Sequence, residues 1–84
     1  MTFKKLIEKM LANGFRQLCD KSYGKEVNGT VVQVYVPEVE TPAMGLDKWF
    51  NPYFSERTKH GYDTYHAWNA NGINLALAKR GYFR

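Results

Sequence analysis

The pair Asn28-Gly29 is the feature that most constrains how this chain can fold. Asn-Gly favours the type I′ turn, whose twist matches that of two antiparallel strands. The residues that follow, 30–36, are a β-branched run that favours an extended strand. Residues 15–27 and 30–36 are therefore predicted to form a β-hairpin. Pro37 is expected to end it, because proline lacks the backbone donor that a strand ladder needs.

Helical periodicity marks the two ends of the chain. In residues 2–13 the apolar side chains recur at three- and four-residue spacing, which predicts an amphipathic helix that Thr2 can cap. Asn13-Gly14 is expected to end this helix, because glycine accepts the left-handed conformation found at many helix ends. A second helix is predicted over 73–80, with Gly81 as its stop. In both cases an aromatic anchor follows the glycine: Phe15 after the first helix, and Tyr82 and Phe83 after the second.

The stretch between the hairpin and the last helix is less regular. Residues 37–46 are expected to form a loop, and Asn51-Pro52 resembles a cap followed by proline in the first helical position. This pair predicts a short helix through about Arg57. Residues 62–68 fit a strand or a helix, and a strand is favoured.

Together these elements predict one small two-layer α+β domain over 1–84. It would contain an N-terminal helix, a β-hairpin, a loop with a short helix, a third strand and a C-terminal helix. Two separate cores would not fit in 84 residues.

Charge and cysteine content narrow the class of protein. Twelve Lys and Arg against eight Asp and Glu give a net charge of +4, below that of a dedicated nucleic-acid binder. The single cysteine, Cys19, excludes an internal disulfide, and we expect it to be half-buried. No apolar run approaches the roughly 18–20 residues of a membrane span, and the first residues lack a secretory-signal pattern. A cytoplasmic protein without a membrane partner is expected.

The first sixteen residues resemble the start of HicA-type toxins, in Lys4-Lys5-Leu6-Ile7, Leu11 and Asn13-Gly14-Phe15. That family is built as a helix, three strands and a helix, and it acts on RNA through a histidine in a Gly-Ser-His segment shortly after the first helix. Here the matching region is Lys21-Ser22-Tyr23-Gly24-Lys25, which has no histidine. The resemblance therefore implies an element order and carries no activity.

His60, Asp63 and His66 are the residues most suggestive of catalysis or metal binding. Two histidines around an aspartate could supply a general base with an orienting carboxylate, or ligands for a metal. Their spacing is poor for both, because positions six apart lie on nearly opposite sides of a helix or about 20 Å apart along a strand. We therefore expect no catalytic residue, no metal and no cofactor.

Aromatic residues concentrate in 49–68, which holds seven of the thirteen in the chain. We expect Phe50, Phe54 and Trp68 to lie in the core. The predicted binding residues are the other aromatic residues with the neighbouring cations: Trp49, Tyr53, Arg57, Lys59, Tyr62 and Tyr65. Exposed Tyr and Trp beside Arg are typical of protein interfaces, and the same mixture can stack unpaired bases.

These patterns favour a small non-enzymatic binding protein that engages a larger protein or protein–nucleic-acid complex. Domains of this size without an active site often belong to phages or mobile elements and inhibit host machinery, so a host defence complex is a natural target. The alternative is a nucleic-acid-binding regulator, in which 62–68 and 73–80 would form a helix-turn-helix presenting Asn74, Lys79 and Arg80. A small nuclease using His60, Asp63 and His66 is a third hypothesis.

Overall fold

Five antiparallel strands form one sheet with a helix at each end of the chain. The computed structural model describes residues 1–37 and 51–83. The elements are α1 (Phe3–Ala12), β1 (Arg16–Cys19), β2 (Ser22–Val27), β3 (Thr30–Tyr35), β4 (Tyr53–Thr58), β5 (Gly61–His66) and α2 (Ala70–Lys79). The strands lie in the sheet in the order in which they occur in the chain. The predicted α+β class is confirmed, with more strands than the sequence suggested.

The Asn-Gly hairpin is confirmed as β2 and β3. Asn28 and Gly29 have φ angles of 50° and 84°, the positive values that a type I′ turn requires. The paired residues run from Ser22 opposite Tyr35 to Val27 opposite Thr30. The segment predicted as one strand is divided into β1 and β2 by a turn at Asp20 and Lys21, because two polar residues there interrupt the weak alternation.

The short helix predicted from Asn51-Pro52 is wrong. The residues that follow form strand β4, which pairs with β3 so that Phe54 lies opposite Val34. Tyr, Phe and Thr favour strands, and pairing with an established neighbour outweighs the local cap-like signal. The strand predicted over 62–68 is present as β5, which begins at Gly61 with φ 134° and ends at His66, two residues earlier than predicted.

The helix starts follow from side-chain caps. Thr2 Oγ1 accepts a hydrogen bond from the backbone N–H of Lys5 at 3.1 Å, as predicted. Asn69 does the same for α2 by accepting from the N–H of Gly72 at 2.9 Å. Because of this cap, α2 begins at Ala70, three residues earlier than the sequence predicted.

Both helices end as expected, with a glycine at positive φ followed by an aromatic residue. Gly14 has φ 90° and Gly81 has φ 84°. In each case the next N–H bonds back into the helix, Phe15 to the Met10 carbonyl and Tyr82 to the Leu77 carbonyl, both at 3.0 Å. The two ends then meet, since the rings of Phe15 and Phe83 are 6.1 Å apart.

The core lies between the two helices and one face of the sheet. Its side chains from the helices and strands are Phe3, Leu6, Met10, Tyr23, Val32, Val34, Phe54, Ile73 and Leu77, among others. Lys9 Nζ joins the helices by donating to Asn74 Oδ1 at 2.7 Å. No helix in the described ranges is long and apolar enough to cross a membrane.

Two core predictions need correction. Phe54 is buried as expected, whereas Trp68 is 67% exposed, because β5 ends at His66 and strand alternation does not extend to it. Cys19 is exposed at the edge strand β1 and not half-buried. A hydrogen bond with the Ser22 side chain lowers the pKa of the Cys19 thiol. Phe50 lies outside the described residues.

Candidate functional site

Among residues 1–37 and 51–83, both helices pack on the same face of the sheet and none lies on the other. Side chains alternate between the two faces of a strand, and directly paired residues of antiparallel strands share a face. The pairing of β2 to β5 therefore builds three rows, which we call the open face. The first row holds Ser22, Tyr35, Tyr53 and His66, the second Gly24, Gln33, Ser55 and Thr64, and the third Glu26, Val31, Arg57 and Tyr62.

Three rings in the first row contact one another, and we call them the aromatic row. Tyr35 and Tyr53 stack with centroids 5.1 Å apart and an interplanar angle of 25°. His66 lies 5.3 Å from Tyr53 with a 43° tilt. Tyr35 and Tyr53 are half-buried, and their mutual stacking restricts the rotamers open to each ring. Rings restricted in this way bury contact area at a low cost in conformational entropy.

A shallow depression of about 360 Å³ lies in the same face. It is lined by Val31, Gln33, Tyr53, Ser55, Arg57, Tyr62 and Thr64. The rim includes a guanidinium group at Arg57 and a phenol at Tyr62 that is 72% exposed. The lining combines rings with amide, hydroxyl and cationic groups, so it can offer both flat apolar area and directional hydrogen bonds.

The structure brings three of the predicted binding residues together here: Tyr53, Arg57 and Tyr62. Lys59 lies in the exposed turn between β4 and β5. Tyr65 points to the helix side, where its ring stacks on Phe54 at 5.3 Å. Trp49 lies outside the described residues.

Sequence reasoning missed Tyr35, Gln33 and Ser55, which complete the surface. The signal for the first two was present in the alternation of β3: Val32 and Val34 are buried, while Gln33 is exposed. A polar residue and a tyrosine on the side opposite two valines indicate the uncovered face of a sheet.

The histidine and aspartate candidates do not converge. His60 lies in the β4–β5 turn, where its N–H bonds to Thr58 Oγ1 at 3.2 Å. Asp63 is directly opposite Glu56 on the helix side, and His66 is on the open face. Within residues 1–37 and 51–83, no group of three or more His, Cys, Asp or Glu residues is placed to hold a metal ion.

The proposed helix-turn-helix geometry is not present, because its first segment is strand β5. Asn74 is instead bonded to Lys9, and Arg80 Nε donates to Glu56 Oε1 at 2.9 Å. Two of the three residues assigned to a DNA groove therefore have partners within the protein.

Charge is distributed unevenly between the open face and the rest of the molecule. The described part of the chain has ten Lys and Arg against five Asp and Glu. None of the twelve positions in the three rows is lysine. The acidic residues Glu38, Glu40 and Asp47 belong to the chain segment that joins β3 to β4. The open face is thus rich in tyrosine and contains arginine, without the lysines of a strongly cationic surface.

No protein family, curated protein or solved structure matches this chain. The resemblance of the first sixteen residues to HicA-type toxins gains no support from these comparisons, and the five-stranded sheet has two strands more than that family's order.

Proposed function

We propose that this protein is a non-enzymatic binding module that docks a larger protein, or a complex containing one, onto the open face. The observation that carries the proposal is the aromatic row beside the Arg57 depression, on a sheet face that neither of the two described helices covers. The rings of the aromatic row offer apolar contact area to a partner. The amide, hydroxyl and guanidinium groups next to them can form hydrogen bonds that orient the bound partner.

Composition favours a protein as the occupant. Protein interfaces are enriched in Tyr and Arg and depleted in Lys, and the three rows of the open face contain Tyr35, Tyr53, Tyr62 and Arg57 and no lysine; Glu26 is their one acidic residue. The net charge of +4 is below that of a dedicated nucleic-acid binder, which also disfavours phosphate as the main ligand.

A binding module of this size acts most directly by occupying a surface that its target needs. We infer a cytoplasmic inhibitor, encoded by a phage or a mobile element, that blocks a host complex such as a defence system. Small size and the absence of a convergent catalytic cluster among the described residues support this role.

The experiment is affinity capture from a host lysate with the double variant Gln33→Ala/Arg57→Ala. Both side chains are exposed and line the depression, so we expect the fold to be retained. Loss of the arginine and the amide should weaken binding of the captured protein at least about tenfold, as titrated by calorimetry.

The matched control is Lys5→Ala/Leu11→Ala, which removes one cation and one large exposed side chain from α1 on the opposite layer. It should bind like the wild type. Equal binding by the open-face variant, or equal loss in both variants, would show that the partner binds elsewhere.

Single-stranded nucleic acid is the second candidate, favoured by the alignment of three rings across neighbouring strands with Arg57 nearby. Bases stack on such rings while cations contact phosphate. A salt titration with labelled DNA and RNA oligonucleotides separates the two proposals. Micromolar binding at moderate salt, with an affinity that falls steeply as salt rises, would favour nucleic acid over protein.

A further inference from the structure

In the part of the chain that the structure describes, strand β5 forms an exposed edge of the sheet. All six of its residues, Gly61–His66, are exposed, and the range contains no proline or lysine. The other edge strand, β1, has four residues and an irregular register between Gln17 and Cys19, which limits pairing with a further strand. Natural proteins protect exposed edges by such bulges, by charges or by short length. Strand β5 has a single charge, Asp63.

We propose that a second copy of this chain pairs with β5, antiparallel across a two-fold axis, to form a ten-stranded sheet. A closed dimer is the commonest symmetric solution for an identical partner, because each copy then satisfies the other's edge. This assembly goes beyond the binding function proposed above and does not depend on it.

The alternation of β5 restricts the register. In a continuous sheet, opposed residues share a face, so a residue on the open face must meet one on the open face of the second copy. Two registers near the middle of β5 satisfy this condition. In the Asp63 register the two-fold axis passes beside Asp63, and in the Thr64 register it passes beside Thr64. In the Thr64 register, Thr64 meets its own counterpart, Tyr62 meets the His66 of the second copy, and Asp63 meets the second copy's Tyr65.

Charge selects the Thr64 register. Asp63 already lies opposite Glu56 within one chain. A register centred on Asp63 would place two such pairs end to end, which gives four carboxylates in one line across the dimer. Like charges directly opposite each other destabilise a strand pair, whereas Thr–Thr and aromatic pairs stabilise it.

A groove beside β5 gives the second copy further surface to cover. It lies between β5 and α2, has a volume of about 610 Å³ and is lined by Tyr65, Leu75, Lys79 and Arg80, with Gly72 and Ala76. Leu75 is 60% exposed there. In the Thr64 register, Asp63 of one copy faces Tyr65 of the other. Tyr65 and Lys79 line the same groove, so the Asp63 carboxylate would lie on the side of the sheet that carries the Lys79 ammonium group.

The first test is the oligomeric state of Thr64→Lys, measured by light scattering after size exclusion from micromolar to millimolar concentration. We expect the wild type to be a dimer and Thr64→Lys a monomer, because two lysines would face each other at the axis. Gln33→Lys is the matched control: it adds the same charge at an exposed position of the same face, on the central strand β3. It should remain a dimer.

The second test determines the strand register by disulfide crosslinking between the two copies. Opposed Cα atoms of antiparallel strands are about 4.5–5.5 Å apart, within the range of a disulfide. In a Cys19→Ser background that keeps Asp63, Thr64→Cys should crosslink to a covalent dimer under mild oxidation. Tyr62→Cys, which meets His66 of the second copy in this register, should crosslink much more slowly. A monomeric wild type at all concentrations, or a dimer in which Thr64→Cys crosslinks no faster than Tyr62→Cys, would overturn the proposal.

Discussion

At the scale of single residues, the carboxylate of Glu56 ties strand β4 to the end of helix α2. The Tyr82 hydroxyl donates a hydrogen bond to Glu56 Oε2, and Arg80 Nε donates to Oε1 at 2.9 Å. Burial, together with the hydrogen bond to Glu56, raises the pKa of Tyr82 to about 12. The phenol is therefore a structural donor that holds its proton at neutral pH.

The variant Tyr82→Phe should lose about 1–2 kcal/mol of unfolding free energy at neutral pH, since it removes a donor to a charged acceptor. Urea denaturation measures this loss. Tyr62→Phe is the control, because it removes the same hydroxyl from a side chain that is largely exposed, and it should leave stability unchanged. Equal stability of Tyr82→Phe and the wild type would mean that the hydrogen bond contributes nothing net.

The wild type and Tyr82→Phe should also differ in how their unfolding free energy depends on pH. Because the folded-state pKa of Tyr82 lies above the usual value near 10, its contribution is complete below about pH 10 and is lost as pH rises through about 12. Between these values, the unfolding free energy of the wild type should fall more steeply than that of Tyr82→Phe. Parallel curves would contradict the assignment.

At the residue scale, the sequence offered only composition and clustering as signals of a binding surface. Clustering identified Tyr53, Arg57 and Tyr62, which the open face brings together. It failed for Trp68, because a tryptophan two residues beyond a strand is not governed by that strand's alternation. The binding role of these residues stays a prediction that the capture experiment tests.

At the scale of elements, both helices end in the same way, with a glycine followed by an aromatic residue. A glycine at positive φ lets the next N–H return to the helix, and the aromatic residue that follows enters the core. The chain turns sharply enough for Phe15 and Phe83 to meet. Local sequence predicts this well, because the glycine and the aromatic residue are adjacent in the chain.

Gly81→Ala should lower the unfolding free energy by about 1–2 kcal/mol, because a side chain at φ 84° is strained. No atom lies within 4 Å of a Cβ built at this position, so a steric clash does not contribute. Gly81→Asn should lose less, since asparagine tolerates this conformation better. If alanine and asparagine proved as stable as glycine in urea denaturation, conformational strain would be excluded as the reason for glycine here.

Local sequence could not identify strand β4. Asn51-Pro52 has the chemistry of a helix start, and what makes 53–58 a strand is its pairing with β3. That contact is nonlocal, so it is invisible to a window of neighbouring residues. The Asn28-Gly29 hairpin was predictable for the opposite reason, because its pairing is fixed by two adjacent residues.

At the scale of the whole molecule, the two described helices lie on one face of the sheet, and no other described element covers the second face or the outer edge of β5. The sequence predicted the α+β class, but not which residues would share the uncovered side, because that depends on the register of four strand pairs. Once the register is known, the proposed binding surface and the proposed dimer edge adjoin at β5, which contributes Tyr62, Thr64 and His66 to the open face. The binding proposal uses the face of the sheet, and the self-association proposal uses the outer edge of β5.

Dimerisation through β5 predicts a melting temperature that depends on protein concentration, because a partner that binds only the folded state stabilises it by mass action. Above the dissociation constant, each tenfold rise in concentration adds about 0.7 kcal/mol per protomer, or about 3–5 °C for a domain of this size. Thr64→Lys should melt at the same temperature throughout, and Gln33→Lys should follow the wild type. A wild-type melting temperature that stays constant over a hundredfold range, measured by calorimetry, would mean that β5 pairs with no second copy and that its edge is open in solution.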